Sequence, residues 1–282
     1  MNRRLTFFGA AAILAIGACS DAPTNPSEAP RPEFITNGQP DLERHPAVVL
    51  IIADVGGTPA FRCSGTLVSA VRVVTAGHCV YNGTGASAIT AMRIFTESNV
   101  QAGRGTTNNY PFAGPNTLEA TDWDAHPLFP TAPFFVHDVG IIKLAAPGVS
   151  LAAGQYGTLP AVNQLDALRP GKQTLFTAVG YGLQRINPVF VERALIRMFA
   201  EPHLIQINVP GFVGDFSLLL SNNASTGGTC FGDSGGPNFL GTGTGRVIAA
   251  VTSFGINGNC AGTGGVFRLD RQNVLDFLNA HL

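Results

Sequence analysis

The sequence predicts an all-β body closed by one C-terminal helix, and three observations predict it. The apolar runs of the 282-residue chain are short and rich in Val, Ile, Thr and Phe, side chains that suit a pleated, half-buried surface. Gly, Pro, Asn and Ser separate these runs, with 34 Gly and 19 Pro in all; this is the pattern of a barrel or sandwich rather than of parallel βαβ units. Helical spacing is confined to the end, where Val274, Leu275, Leu278 and Leu282 recur behind Asp270, a residue type that caps helices.

Taken in order, the chain begins with a segment that is not part of this body. Asn2-Arg3-Arg4 forms a short positive stretch before the apolar run Leu5 to Ala18. That run is shorter than the about 20 residues a spanning helix needs and reads as the core of an export signal. It ends Ile16-Gly17-Ala18-Cys19, which resembles the bacterial lipobox, so residues 1–19 are expected to be a lipoprotein-type signal with Cys19 lipidated. The alternative is an ordinary secretory signal cut near Ala18. Residues 20–34 hold four Pro and no large apolar residue before Phe34, and read as an extended linker or propeptide. The folded domain is expected over 35–282, in the bacterial cell envelope or released from it.

Within that domain the expected strands are Ala47–Ile52, Arg62–Val68, Arg72–Ala76, Ala91–Thr96, Val139–Leu144, Thr174–Val179, Arg246–Thr252 and Gly265–Leu269. Gly241 to Gly245 reads as a hairpin turn. The stretch 147–160 is rich in small residues and lies near the middle of the chain, where a crossing between two halves is expected.

Composition excludes several functions. Seventeen cations against 18 anions leave a net charge of −1, without the basic excess of a nucleic-acid binder. Only Lys143 and Lys172 are lysines, so no polybasic patch exists, and the membrane is expected to be met only through a lipid on Cys19. No phosphate loop or dinucleotide fingerprint is present, and no cofactor is expected. The 19 Phe and Trp123 read as core.

Five Cys is an odd number for an exported chain. Setting Cys19 aside leaves Cys63, Cys79, Cys230 and Cys260, which an oxidising compartment would pair. Four cysteines allow three pairings. The local one, 63–79 with 230–260, closes loops of moderate length. No CxxC or HExxH spacing supports a metal, nor do His45, His126, His137, His203 and His281 show ligand spacing.

Three segments carry chemistry: Thr75-Ala76-Gly77-His78-Cys79, His137-Asp138-Val139-Gly140, and Gly232-Asp233-Ser234-Gly235-Gly236-Pro237. Each alone has a structural explanation, as a His beside a disulfide, an Asp at a strand entrance or a tight turn. Together they supply a nucleophile, a base and an orienting carboxylate. A serine hydroxyl is a poor nucleophile at neutral pH and needs a base within hydrogen-bond reach. Imidazole can take that proton and return it to a leaving amine. A buried carboxylate fixes its tautomer. The N–H groups of Gly232 and Ser234 could hold a developing oxyanion.

With these residues in hand, the chain resembles the trypsin/chymotrypsin-like serine proteases. It shares their order His78, Asp138, Ser234. It also shares His126-Pro127, Gly180-Tyr181-Gly182 in place of Gly-Trp-Gly, Ser253-Phe254-Gly255 in place of Ser-Trp-Gly, and the terminal helix. The resemblance covers nearly all of 35–282 and implies two packed six-stranded β-barrels with the triad at their junction. It implies the bridges Cys63–Cys79, beside the catalytic His, and Cys230–Cys260, framing the specificity pocket. It implies a pocket built by Gly228 at the floor, Ser253 and Phe254, with Gly255 and Gly265 as walls. Without an Asp at Gly228, cleavage after Phe, Tyr, Leu or Met is expected rather than after Arg or Lys. It implies activation by cutting before Ile35, whose new ammonium would pair with Asp233; Thr36 and Asn37 depart from the family's Ile-Val-Gly-Gly. The expected partners are protein or peptide substrates and protein inhibitors, and the enzyme is expected to be a monomer. Two other readings use the same residues. One is a protease-fold binding protein without activity, which an organophosphate or sulfonyl fluoride would fail to label at Ser234. The other is an esterase, which comparison of amide and ester turnover would expose.

Overall fold

The computed structural model describes residues 35–83, 88–131, 136–187, 190–209 and 214–282. The expected leader, Cys19 and the linker through residue 34 lie outside the described residues. A two-residue strand, β1 (Gln39–Pro40), comes first. Then β2 (Val48–Val55), β3 (Thr58–Ser69), β4 (Arg72–Thr75), β5 (Ile89–Phe95), β6 (Thr117–Ala125) and β7 (Gly140–Leu144) close an antiparallel barrel in the order β2-β3-β4-β7-β6-β5.

The chain then crosses through 145–163 to β8 (Gly171–Gly180), followed by a separate hairpin of β9 (Arg185–Asn187) and β10 (Phe190–Glu192). After β11 (Met198–Ala200) come β12 (His203–Val209), β13 (Gly214–Asn222), β14 (Pro237–Leu240), β15 (Ile248–Gly255) and β16 (Gly262–Arg268). Strand β8 pairs with both β12 and β14, so β8-β12-β13-β16-β15-β14 closes as a second six-stranded barrel. Strand β11 also pairs with β8 and carries β1 on its far side. Among the described residues the α-helices are α1 (Gly77–Val80), α2 (Val100–Gly103) and α3 (Gln272–His281).

Strand β2 explains how the two barrels share one core. Its sequence, Val48-Val49-Leu50-Ile51-Ile52-Ala53, does not alternate with polar residues because both faces are buried. Successive side chains point to opposite faces. Val49, Ile51 and Ala53 fill the first barrel with Leu67, Ile94 and Ile142. Val48, Leu50 and Ile52 belong to a second cluster that includes Tyr181, Phe239, Val251 and Phe267 of the other barrel. A third cluster, around Phe176, Leu204, Leu218 and Val266, fills the second barrel. Helix α3 adds Val274, Phe277 and Leu278 to the shared cluster.

Some local expectations differ from the structure. Asp270 does not cap α3: Arg271 holds the N-cap position without a side-chain cap, and buried Asp270 instead pairs with Arg268 and accepts the Leu165 N–H at 2.7 Å. Leu282 is half exposed, and Phe277 takes the helix's fourth buried position. Strand β6 escapes a hydrophobic reading because Glu119, Asp122 and Asp124 face solvent, while Leu118, Ala120, Trp123 and Ala125 lean on the barrel interior. Gly241–Gly245 does join two paired strands, β14 and β15.

Candidate active site

The pairing of two strands in the first barrel brings together residues far apart in sequence. Strands β4 and β7 are antiparallel, with Thr75 opposite Gly140. The chain leaving β4 therefore lies beside the chain entering β7, and His78 on α1 meets Asp138 two residues before β7. His78 Nδ1 approaches Asp138 Oδ2 at 2.8 Å and Oδ1 at 3.0 Å, and the His78 backbone N–H donates to Oδ1 at 2.8 Å. A carboxylate only accepts, so Nδ1 carries the proton and Nε2 keeps its lone pair. Burial works to depress the His78 pKa, but the charge and hydrogen bond of fully buried Asp138 outweigh it and hold the pKa above its ordinary value.

The second barrel supplies the other side. Ser234 sits in the turn before β14, whose Pro237 lies opposite Val251 of β15. Its carbonyl accepts the Ser64 N–H at 2.8 Å, a bond that ties the turn to β3 of the first barrel. Gly235, at φ 77°, continues the turn in a conformation that favours glycine, and a Cβ there would overlap the Thr75 hydroxyl. Ser234 and His78 line one cavity of about 330 Å³ with Thr229, Phe231, Phe254 and Gly255. Among the described residues no hydrogen bond joins the Ser234 hydroxyl to the imidazole. Catalytic hydrogen bonds commonly tighten only when substrate is bound.

Beside Ser234, two backbone donors are unspent. Neither the Gly232 nor the Ser234 N–H has an acceptor among the described residues, whereas the intervening Asp233 N–H donates to the Cys230 carbonyl at 3.0 Å. Gly232 holds φ 96°, and its carbonyl accepts the Ser64 hydroxyl at 3.0 Å. Asp233 turns inward and is fully buried. It accepts the Gly182 N–H at 2.7 Å and the Cys230 N–H at 2.9 Å. Gly180 and Gly182 approach it so closely that a side chain on either would overlap the carboxyl. Burial pushes the Asp233 carboxyl up to about 6, against those two N–H groups and the charge of Arg62, which pull it down. It has no ion pair among the described residues. Ile35 is buried against Ile196, Met198 and Ala200 and has residues ahead of it, so its nitrogen is a peptide nitrogen in this chain.

Both disulfides frame the site: Cys63–Cys79 stands beside His78, and Cys230–Cys260 borders the cavity. The sulfurs of Cys63 and Cys79 lie near the imidazole, but being bonded to each other they are not a metal donor set.

Several pocket residues take positions that their motifs do not reveal. Ser253 donates to Asp138 Oδ2 at 2.5 Å, across the boundary between the barrels. A Cβ on Gly265 would overlap the Phe254 ring, which itself lines the cavity. A Cβ on its neighbour Gly264 would lie 3.0 Å from Thr229 Oγ1. Phe254 pairs with Gly265 and Gly255 with Gly264, so the two glycines present opposite faces of β16. Gly255 is open, with only the Asn257 carbonyl near its Cβ position, at 3.6 Å. Gly228 is backed by Asn222, whose side chain a Cβ on Gly228 would overlap. Buried Asn222 donates to the Thr229 carbonyl at 2.8 Å and accepts the Thr36 hydroxyl at 2.6 Å. No motif pointed to Asn222, because it reaches Gly228 from β13.

A family model described as Trypsin matches residues 38–273. No curated protein matches the chain. Among solved structures, HL collagenase shares the fold with a TM-score of 0.64 at 20% identity, over 87% of this chain and 97% of its own. A thermostable serine protease, AL20, from an extremophilic microorganism gives 0.62 at 19% identity, over 84% and 97%. The protease Anisep from Arthrobacter nicotinovorans gives 0.61 at 18% identity, over 86% and 98%.

Proposed function

We propose that this chain, which belongs to the trypsin family and is a serine-type endopeptidase, cleaves after large apolar residues through an acyl-enzyme formed on Ser234. The single observation that carries the mechanism is the hydrogen-bonded chain Ser253–Asp138–His78 ending on a cavity that Ser234 shares. Substrate enters with its carbonyl carbon at Ser234 Oγ. Nε2 of His78 takes the hydroxyl proton as the new C–O bond forms. The carbonyl oxygen becomes an oxyanion within reach of the Gly232 and Ser234 N–H groups, where fixed donors offset charge that water would otherwise solvate. The imidazolium, held by Asp138, gives its proton to the leaving nitrogen. Water then repeats the sequence in reverse to release the acid.

An apolar preference is supported by a neutral, roomy pocket. Its lining includes Thr229, Phe254, Gly255 and the Cys230–Cys260 bridge, and the Asn222 amide, rather than a carboxylate, lies behind Gly228. Burying a large apolar side chain there is worth about 1.5–3 kcal/mol. Peptide libraries varying the residue before the scissile bond test this, and a preference for Arg or Lys would overturn it.

The enzyme is exported, anchored through Cys19 or freed by cutting before Ile35. The leader sequence and the two disulfides of the body support export. A buried Asp233 without an ion pair supports activation by a new ammonium at Ile35. N-terminal sequencing of active material should begin at Ile35; full activity with the linker intact would reject this route.

A further inference from the structure

Next to the turn that carries Ser234 stands a cation that neither the motifs nor the mechanism above uses. Arg62 directly precedes Cys63, whose disulfide partner Cys79 follows His78. Under the mechanism proposed above, His78 hands its proton to the leaving nitrogen, which assigns the side of that disulfide to the departing chain and the Phe254–Gly255 side to the acyl half. The Arg62 guanidinium lies against Gly232: a Cβ on that glycine would sit 2.9 Å from Nε and 3.1 Å from Nη2. It is half-buried, with no ion pair and no hydrogen bond from its side chain among the described residues. Its charge acts on Asp233, which is fully buried and already holds two backbone donors. Arg62 also lines a separate cavity of about 190 Å³ with Pro59, Phe61, Tyr110 and Pro111, and Phe61 beside it is exposed. An arginine fork offers paired donors that match a carboxylate. Among the described residues those donors have no acceptor, and they lie against the turn that carries Ser234.

We propose that Arg62 is a specificity-determining residue for the leaving side, selecting substrates that carry a carboxylate within two residues after the scissile bond. This rests on the assignment of Ser234 and His78 above. The carboxylate can come from an Asp or Glu side chain or from the chain's own C-terminus, and the test separates the two.

The test uses quenched peptides with one favoured acyl half, carrying Glu, Gln or Lys at the first or second position after the cut. A matched pair ends at the second position as free acid or amide, and an anilide of the same acyl half serves as control. The intact enzyme should favour Glu over Lys by about tenfold or more in kcat/KM at one position, or free acid over amide by a similar factor; the series that responds names the source. Arg62→Gln should bring that ratio near one, and Arg62→Glu should invert it. Because each ratio is taken within one enzyme, a general loss of rate in a variant does not hide it. Ratios within twofold in an intact enzyme that turns over the anilide would overturn the role of Arg62, as would a preference that survives Arg62→Glu. No turnover of the anilide would overturn the underlying assignment instead.

Discussion

The hydroxyl of Ser253, in the second barrel, donates to Oδ2 of Asp138, in the first, at 2.5 Å. Asp138 thus accepts the Nδ1–H and backbone N–H of His78 together with this hydroxyl, and the hydrogen bonds that set the base's orientation cross the boundary between the barrels. Replacing Ser253 by Ala should lower kcat by about tenfold, the worth of one hydrogen bond to a charged group, with little change in KM for substrates lacking contacts there. Asp138→Asn, which presents a donor where His78 needs an acceptor, should lower kcat by about 10^4. Steady-state kinetics on one chromogenic peptide checks both, and equal losses in the two variants would contradict this ordering.

If Gly228 floors the pocket as proposed, Asn222 behind it makes that floor hard to recharge by a single change. Gly228→Asp alone places a Cβ in the space of the Asn222 side chain and should destabilise the protein by about 1–3 kcal/mol through overpacking. It should not yield an enzyme that cleaves after Arg. Gly228→Asp combined with Asn222→Ala relieves the overlap and should move preference toward Arg and Lys. Thermal unfolding and a pair of Phe and Arg anilides report the two effects separately.

The rings of His126 and His137 stack with centroids 4.8 Å apart, directly before Asp138. Phe277 meets His126 edge-on and Phe216 meets His137. The Asn273 amide lies 3.4 Å from His137 Nδ1, and beyond Phe277 stands His281, 3.5 Å from Asp124. Burial holds both imidazoles below the ordinary histidine pKa, and for His126 the neighbouring His137 charge adds to it. As pH falls, the unfolded chain binds these protons first. Stability contributed by the neutral pair is therefore present above about 6.5 and is lost as pH drops through that value toward the folded pKa values. His137→Asn, which tolerates the φ of 62° there, should flatten the fall in Tm between pH 7.5 and 5. Taking the difference between the two proteins removes the contribution of His78, which runs in the opposite direction.

Asp233 organises the turn that carries Gly232 and Ser234. In Asp233→Asn, one of the two N–H donors from Gly182 and Cys230 would face an amide NH2 group. The turn should then shift, and kcat should drop by about 10^2 to 10^3, the cost of disturbing an oxyanion donor. Slower sulfonyl fluoride labelling of Ser234 with an unchanged pH profile for His78 would locate the fault in the turn.

The strand-rich body, the terminal helix and the three short segments bearing His78, Asp138 and Ser234 were legible in the sequence, because strand chemistry and glycine-bracketed motifs are local properties. What was not local was not legible. Strand β6 hides behind outward-facing acids, and Asp270, a good cap by type, is drawn to the buried Arg268 instead. Which of Gly264 and Gly265 lies against Thr229 and which under the Phe254 ring depends on the register between β15 and β16, and a one-residue change of phase exchanges the faces. Asn222 and Arg62 arrive at the site from β13 and β3, and only the closure of each barrel decides which side chains of distant strands come within reach of one hydroxyl.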